Sequence, residues 1–453
     1  MLPESVRAAI LWAADAVFHP ALMGTLLLGS GLFLTLRYRF LQVTRFGEAL
    51  ATLVPKQQAG AAGALTPFQA FMTALAASIG TGNIAGVATA VVMGGPGAVF
   101  WIWCYGFFAT TIKFTEAVLG VQYRRIDAAG RLSAGAMHYL RDGLRMPRLG
   151  FAYALIAGVA ALTTTPFTQP NSIAEVFRSQ LSVPTWATGL ALALLTWLVI
   201  IGGIRVIGLA MEKLAPFKVF LYLAGGLFVI VTHAHRLPEV LALILREAFS
   251  VGALVGGTAG AGIMVAFRYG LARGIYANEA GYGTAAVAYG TAQSERPVQQ
   301  GLNAVMEVFI VSLVTSNISA FTVLLSGAWN SAAVKAGEIK GAAVVAAAFE
   351  TALPRFGGPM VALCVFLFGY TTLIGWSYYG EQFLEHVFGA RVTLPYRWVY
   401  CLLIPFGAVG RVEVVWAWGD LMNGLQVFPN MVGLLGLSGA VAALARDKTR
   451  GSA

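Results

Sequence analysis

Charge is scarce in this chain. Asp, Glu, Lys and Arg make up 11% of its 453 residues, where a soluble domain carries about 25%. Cysteine is scarcer still. Cys104, Cys364 and Cys401 are odd in number, lie within apolar runs and have no metal-ligand spacing, so neither a disulfide framework nor a zinc site is inferred. Of the five histidines, His138 falls in a basic loop and His233 and His235 in another. None has a carboxylate or cysteine at ligand spacing, and solvent exposure is expected for them. Without a histidine or carboxylate constellation, nothing supports a membrane enzyme. Without a filter motif repeated by symmetry, an ion channel is disfavoured. The N-terminus has no basic region, and Glu4 and Asp15 interrupt its apolar run, so no signal peptide is expected.

What the chain has is hydrophobic length. It is 58% hydrophobic with a mean hydropathy of +0.74, and apolar runs of about 20 residues, enough to cross a bilayer, recur along it. A short interfacial helix is read at 1–18. Eleven membrane spans are expected at 20–36, 68–93, 96–123, 150–177, 184–203, 216–232, 257–289, 302–325, 360–383, 396–409 and 431–444. Residues 412–428 carry Glu413, Asp420 and Asn423, and are read as an interfacial or half-helix. The net charge of +10 is no sign of nucleic-acid binding, because the basic residues sit in short loops. With 37–68 facing the cytoplasm, 19 basic residues, Lys218 among them, fall in inside loops and 8 outside. This bias places the N-terminus outside and the C-terminus inside, in a cell membrane.

Two spans are poor helix material in the middle. In residues 68–93, Ser78-Ile79-Gly80-Thr81-Gly82-Asn83 puts two glycines, each costing about 1 kcal/mol relative to alanine, beside side chains that compete for backbone hydrogen bonds. In residues 257–289, Ala277-Asn278-Glu279-Ala280-Gly281-Tyr282-Gly283 repeats the pattern. Unwound backbone at membrane depth is tolerated where it is buried in protein or lines a cavity. With the first span set aside, the two interrupted segments are the first and sixth of ten. They open two halves of a five-plus-five arrangement, where inverted-repeat transporters place their site. Residues 1–60 then form an N-terminal part with an extra helix and connector, 61–250 the first repeat, 251–446 the second and 447–453 a basic cytoplasmic tail.

The residues SIGTGNIAGVATAVVMGGPGAVFWIWCYGFFATTIKFTEAVLGVQYR, RGIYANEAGYGTAAVAYGTAQ and FGYTTLIGWSYYGEQ resemble the sodium:alanine (alanine or glycine:cation) symporter family, in order from about residue 20 to 444. The resemblance implies an all-α, leucine-transporter-like fold with one extra N-terminal helix. It also implies import of small neutral amino acids, alanine or glycine, by symport with sodium. A carrier that uses protons or takes another small amino acid is the alternative. By resemblance Thr81, Gly82, Asn83, Gln169, Asn278 and Trp376 bind substrate. Thr371 and Thr372, with carbonyls of Ala76 and Ile79, hold sodium, and oxygen ligands suit such a hard cation. Pro170 directly after Gln169 is expected to bend that helix. Tyr276-Ala277 replaces the more usual Phe-Ser before the asparagine. No partner beyond the amino acid, the cation and the lipid bilayer is inferred.

Other polar residues carry weaker signals. Lys113 and Glu116, three apart inside a span, are expected to form a structural pair on one helix face. Arg273 and Glu279 are expected to pair in the same way, stabilising the second break or an inner gate. Gly252 and Gly256 read as a helix-packing spacing.

Overall fold

A computed structural model of the chain describes residues 3–53, 63–126, 132–250 and 261–446. Among these, only a two-stranded hairpin, β1 (Arg125–Ile126) with β2 (Leu132–Ser133), is not helical or loop. Part of the 257–289 segment, the Gly252 and Gly256 spacing and the tail 447–453 lie outside the described residues.

The chain opens with α1 (Glu4–Val17) and, after a π-helical turn at Gly24–Gly29, continues in α2 (Ser30–Arg37). The first interrupted segment begins with α3 (Pro67–Ser78). Its start combines proline at the first position with a reciprocal capping box between Thr66 and Gln69, which satisfies the orphan amides of that terminus. α4 (Ala85–Gly94) leaves α3 at an angle of 55°. Then come α5 (Ala98–Gln122), α6 (Pro147–Thr163), α7 (Thr165–Leu181), α8 (Thr185–Ile200) and α9 (Gly203–Thr232). The second half runs through α10 (Ala261–Asn278), α11 (Thr284–Gly290) and α12 (Pro297–Val308) to α13 (Ser316–Ser326). It ends in α14 (Gly357–Phe388), α15 (Thr393–Val409), α16 (Val412–Gly436) and α17 (Ser438–Arg446).

Among the described residues, six helices are long and apolar enough to cross a bilayer, and two bent pairs raise this to eight. The eleven crossings read from the sequence also need α5, α8 and the α10–α11 segment.

Three expectations are corrected. The stretch 412–428 is no interfacial or half-helix, because α16 is one helix of 25 residues that runs through it to Gly436. Its polar residues are accommodated because Asn423, Gln426 and Asn430 are buried in protein. α9 begins at Gly203 rather than 216 and carries Pro216 inside it. That moves Lys218 from a supposed loop to the middle of a membrane helix, where it is fully buried. His138 is not solvent-exposed. It is 3% exposed, its ring bonded to Ser133 Oγ at 2.8 Å and 5.3 Å from the ring of His386.

Packing places α3 between α9 and α14, α10 against α4 and α5, and α7 against α14 and α15. Both interrupted segments thus run through the middle of the bundle, with the cores of their breaks, 78–83 and 278–284, fully enclosed by protein.

Candidate functional site

At the first break the helix stops at Ser78. Gly80 is extended (φ −109°, ψ −166°), and Thr81–Asn83 make one 3-10 turn before α4. Gly80 and Gly82 are required by close approach. A Cβ on Gly80 would stand 2.7 Å from Thr372 Oγ1, and one on Gly82 2.9 Å from Tyr276 Cδ1. At the second break, Glu279 (φ 58°), Gly281 (φ 98°) and Gly283 (φ 84°) all adopt positive φ. For the two glycines this costs little, whereas for Glu279 it is an uncommon conformation.

The breaks face one cavity, lined by Ala77, Ser78, Gly80, Gly82, Thr165, Gln169, Tyr276, Glu279, Tyr282, Thr372, Trp376 and Asn423. About 280 Å³ of atom-free space lies among these residues, with room for no more than about one water molecule. The walls must therefore part before a solute can enter.

Of the expected substrate residues, Gly82, Gln169 and Trp376 line this cavity. α7 stays helical through Pro170, and Gln169 Oε1 accepts from the Thr81 amide at 3.0 Å and from its hydroxyl at 2.9 Å. Trp376 Nε1 donates to Glu279 Oε1 at 2.6 Å. Asn83 and Asn278 point elsewhere. The Asn83 amide donates to Ser316 Oγ at 3.1 Å and the Val311 carbonyl at 3.4 Å. Asn278 donates to Ser312 Oγ and accepts from the Ala280 amide. Thr81 is not among the lining residues either. Each of these three side chains ties broken backbone to neighbouring groups.

The oxygens expected around sodium do come together, around a side chain. Lys218 Nζ donates to the Ala76 carbonyl at 2.8 Å, the Ile79 carbonyl at 2.6 Å and Thr371 Oγ1 at 2.5 Å. Thr372 stands at the edge of this cradle, its hydroxyl donating to the Ala77 carbonyl at 2.8 Å and lying 3.5 Å from the Ala76 carbonyl.

The expected ion pairs are corrected too. Lys113 does not pair with Glu116. Its ammonium meets Glu307 Oε1 and the Asn278 carbonyl, each at 2.5 Å, and Ser78 Oγ at 2.8 Å. It thus links the C-terminal ends of α3 and α10, where a cation complements the helix dipoles. Glu116 Oε1 instead accepts from the amides of Gly281 (2.9 Å) and Gly283 (3.0 Å) and from Asn430 Nδ2 (2.8 Å). It satisfies the unwound backbone of the second break. Arg273 does not pair with Glu279. It meets Asp420 Oδ2 at 2.5 Å, with its guanidinium 5.0 Å from the Trp416 ring. Glu279 therefore reaches the cavity wall with Trp376 Nε1 and Thr284 Oγ1 as its donors.

The cavity is closed at both ends. On the side of the first turns of α16, Arg273 and Asp420 join Tyr276, whose hydroxyl donates to Thr168 Oγ1 at 2.8 Å. On the other side, the Tyr105 and Tyr153 hydroxyls hold the carbonyls of Ala280 and Tyr282, and Arg124 binds those of Gly290, Ala292 and Ser294.

Sequence reading missed Lys218, Glu307 and the cavity-facing role of Glu279. Lys218 had a usable signal, an isolated charge in the apolar run PFKVFLYLAGG, since charges inside spans are functional candidates. Its assignment to a loop hid it.

The sequence model of the sodium:alanine symporter family matches residues 4–451. The sodium/alanine symporter AgcS of Methanococcus maripaludis is 38% identical over 93% of this chain and 92% of its own length. Two Bacillus subtilis proteins are each 32% identical. A putative sodium/proton-dependent alanine carrier, YrbD, aligns over 98% of this chain and 91% of its own, and a probable sodium/glutamine symporter, GlnT, over 99% and 92%. Among solved structures, MhsT in complex with L-phenylalanine superposes with a TM-score of 0.57 at 11% identity, covering 85% of this chain and 99% of that one. That likeness is one of fold.

Proposed function

The chain belongs to the sodium:alanine symporter family, and we propose that it imports a small neutral amino acid, alanine or glycine, by cation-coupled alternating access. The observation that carries this reading is the closed cavity between two helix breaks, with amide donors on one wall and a carboxylate on the other. A free amino acid is a zwitterion and needs both. The substrate carboxylate meets the amides at 80–82, beside the positive end of α4, and displaces Gln169 from the Thr81 amide that it now holds. The ammonium meets Glu279. Tyr276 and Trp376, both in the wall, would turn away a large side chain.

Eleven crossings with the N-terminus outside, and two five-helix repeats at 61–250 and 251–446, complete this reading. The charge bias of the loops supports the orientation. Sodium as the coupling ion is supported by the family and by the name of the Methanococcus relative. A proton is the second reading, favoured by one observation, the ammonium of Lys218 in the cradle expected to hold sodium.

Exchange of labelled alanine in proteoliposomes, with sodium equal on both sides, tests the substrate, because exchange needs no ion gradient. We expect saturable exchange competed by glycine, lost in Gln169→Ala and in Glu279→Ala. Absence of alanine and glycine exchange in the unaltered protein would overturn the reading.

A further inference from the structure

We propose that the cleft between the C-terminal ends of α2 and α17 binds the phosphate headgroup of an anionic phospholipid, whose acyl chains lie along α2. This cleft shares no lining residue with the substrate cavity, and its occupant does not depend on what the carrier moves.

The cleft is open, about 430 Å³ in volume, and Arg37, Arg39 and Arg446 line it. Each reaches it for a local reason. Arg37 is the last residue of α2, and its guanidinium stands 5.7 Å from the centre of the Phe33 ring one turn back. Arg39 and Phe40 both take the left-handed conformation, with φ of 56° and 55°, uncommon for residues other than glycine. The chain turns there, and Arg39 joins Arg37 at the cleft. On the other side, α17 is bent by 52° from α16. Its Gly439, Ala442, Ala443 and Arg446 recur at helical spacing, so they share a face, and all of them line the cleft. The first three are small, which leaves the space that the arginines surround. A Cβ on Gly439 would stand 3.1 Å from Arg37 Nη2, so the cation lies close over that face. Arg45 Nη1 donates to the Ala445 carbonyl at 3.2 Å and ties the end of α17 to the segment that follows α2.

Among the described residues, none of these three guanidinium groups has a carboxylate or a hydrogen-bond acceptor as partner. Glu48, the carboxylate closest to them along this part of the chain, is held by Arg45 at 2.5 Å. Asp447, Lys448 and Arg450, next in sequence after Arg446, together add one positive charge. A guanidinium presents a planar fork of N–H donors that matches phosphate oxygens, and here three such forks surround one space. The apolar rim decides where the phosphate comes from. Leu36 lines the cleft and is 57% exposed, and Leu32, one turn back on the same face, is exposed as well, with Phe33 beside it. An exposed apolar stripe of this kind marks contact with a membrane. A free phosphate makes no use of it, whereas a phospholipid places its chains there and its phosphate at the helix end. Basic pockets between membrane helices suit anionic headgroups. Phosphatidylcholine also carries a phosphate, but its own cation would be repelled by three arginines, so the cleft should prefer a headgroup of net negative charge.

The test uses the full chain in detergent, titrated with phosphatidylglycerol or with phosphatidylcholine of the same acyl chains, and bound lipid is read by native mass spectrometry. The unaltered protein should bind phosphatidylglycerol more tightly. That preference should weaken about fivefold for each of Arg37→Gln, Arg39→Gln and Arg446→Gln, and about a hundredfold when all three are combined. Ala443→Phe, which fills the cleft and leaves its charges in place, should also remove the preference. Comparing two lipids on one variant cancels any general loss of stability. Inorganic phosphate and glycerol 3-phosphate separate the sources, and neither should displace phosphatidylglycerol at equal concentration. The proposal is overturned if the triple variant keeps the preference of the unaltered protein. It is equally overturned if inorganic phosphate displaces the lipid, because the cleft would then be a site for a soluble anion.

Discussion

Lys113 joins groups from three helices. Its ammonium neutralises Glu307, which is fully buried, and holds Ser78 Oγ and the Asn278 carbonyl. Glu307 in turn accepts from Ser78 Oγ at 2.6 Å and Tyr289 OH at 2.8 Å. Removing one member of such a pair leaves a charge in a site that cannot hydrate it. Lys113→Met is therefore expected to destabilise the protein by about 3–5 kcal/mol, read as a fall in Tm. Adding Glu307→Gln should recover most of that loss, because an amide can keep the hydroxyl bonds without an anion. If the double variant is no more stable than the single one, the charge on Glu307 is not what Lys113 is needed for.

The broken helices show how far single elements can be read ahead of their contacts. Both interruptions were legible in the sequence because glycine at Gly80, Gly82, Gly281 and Gly283 is a local signal, written in the residues that adopt the conformation. The partners of the breaks were not legible, because they come from α5, α7, α9, α12 and α14, and spacing along one helix does not report contacts between helices. Lys113 and Glu116 do share a helix and a turn, yet they serve opposite polarities of backbone, one donating to a carbonyl and the other accepting from amides. Asn83 makes the same point as a prediction. Its amide ties the first break to Val311 and Ser316 and does not line the cavity. Asn83→Ala should cost about 1–3 kcal/mol of stability for polar groups left unpaired, read as a fall in Tm, with little change in KM for alanine. Gln169→Ala, at the cavity wall, should do the reverse, losing alanine transport with a smaller effect on Tm. A raised KM with unchanged Tm in Asn83→Ala would put that side chain back in the pocket.

For the whole molecule, a carrier must keep one end of its cavity shut while the other opens, and here both are shut. The two closures differ in kind. The one built on Tyr105, Tyr153 and Arg124 consists of many bonds to backbone carbonyls. The other depends chiefly on one ion pair, Arg273 with Asp420, whose side chains are 9% and 15% exposed, with the guanidinium over the Trp416 and Tyr276 rings and a single hydrogen bond from Tyr276 to Thr168 beside it. A closure resting on one buried pair is the easier to release. Asp420→Asn removes the charge at constant shape, and the Arg273 guanidinium, left without its anion, gains by moving toward water. A shift of about 2 kcal/mol is expected, some 30-fold in the balance of open and closed forms. With cysteine placed at Thr165 in the cavity wall, a membrane-impermeant maleimide applied on the Asp420 side should then label faster in Asp420→Asn by about tenfold or more. Labelling from the opposite side should slow, since alternating access makes the two openings exclusive. Faster labelling from both sides would mean that the ion pair holds the bundle together rather than gating one face of it.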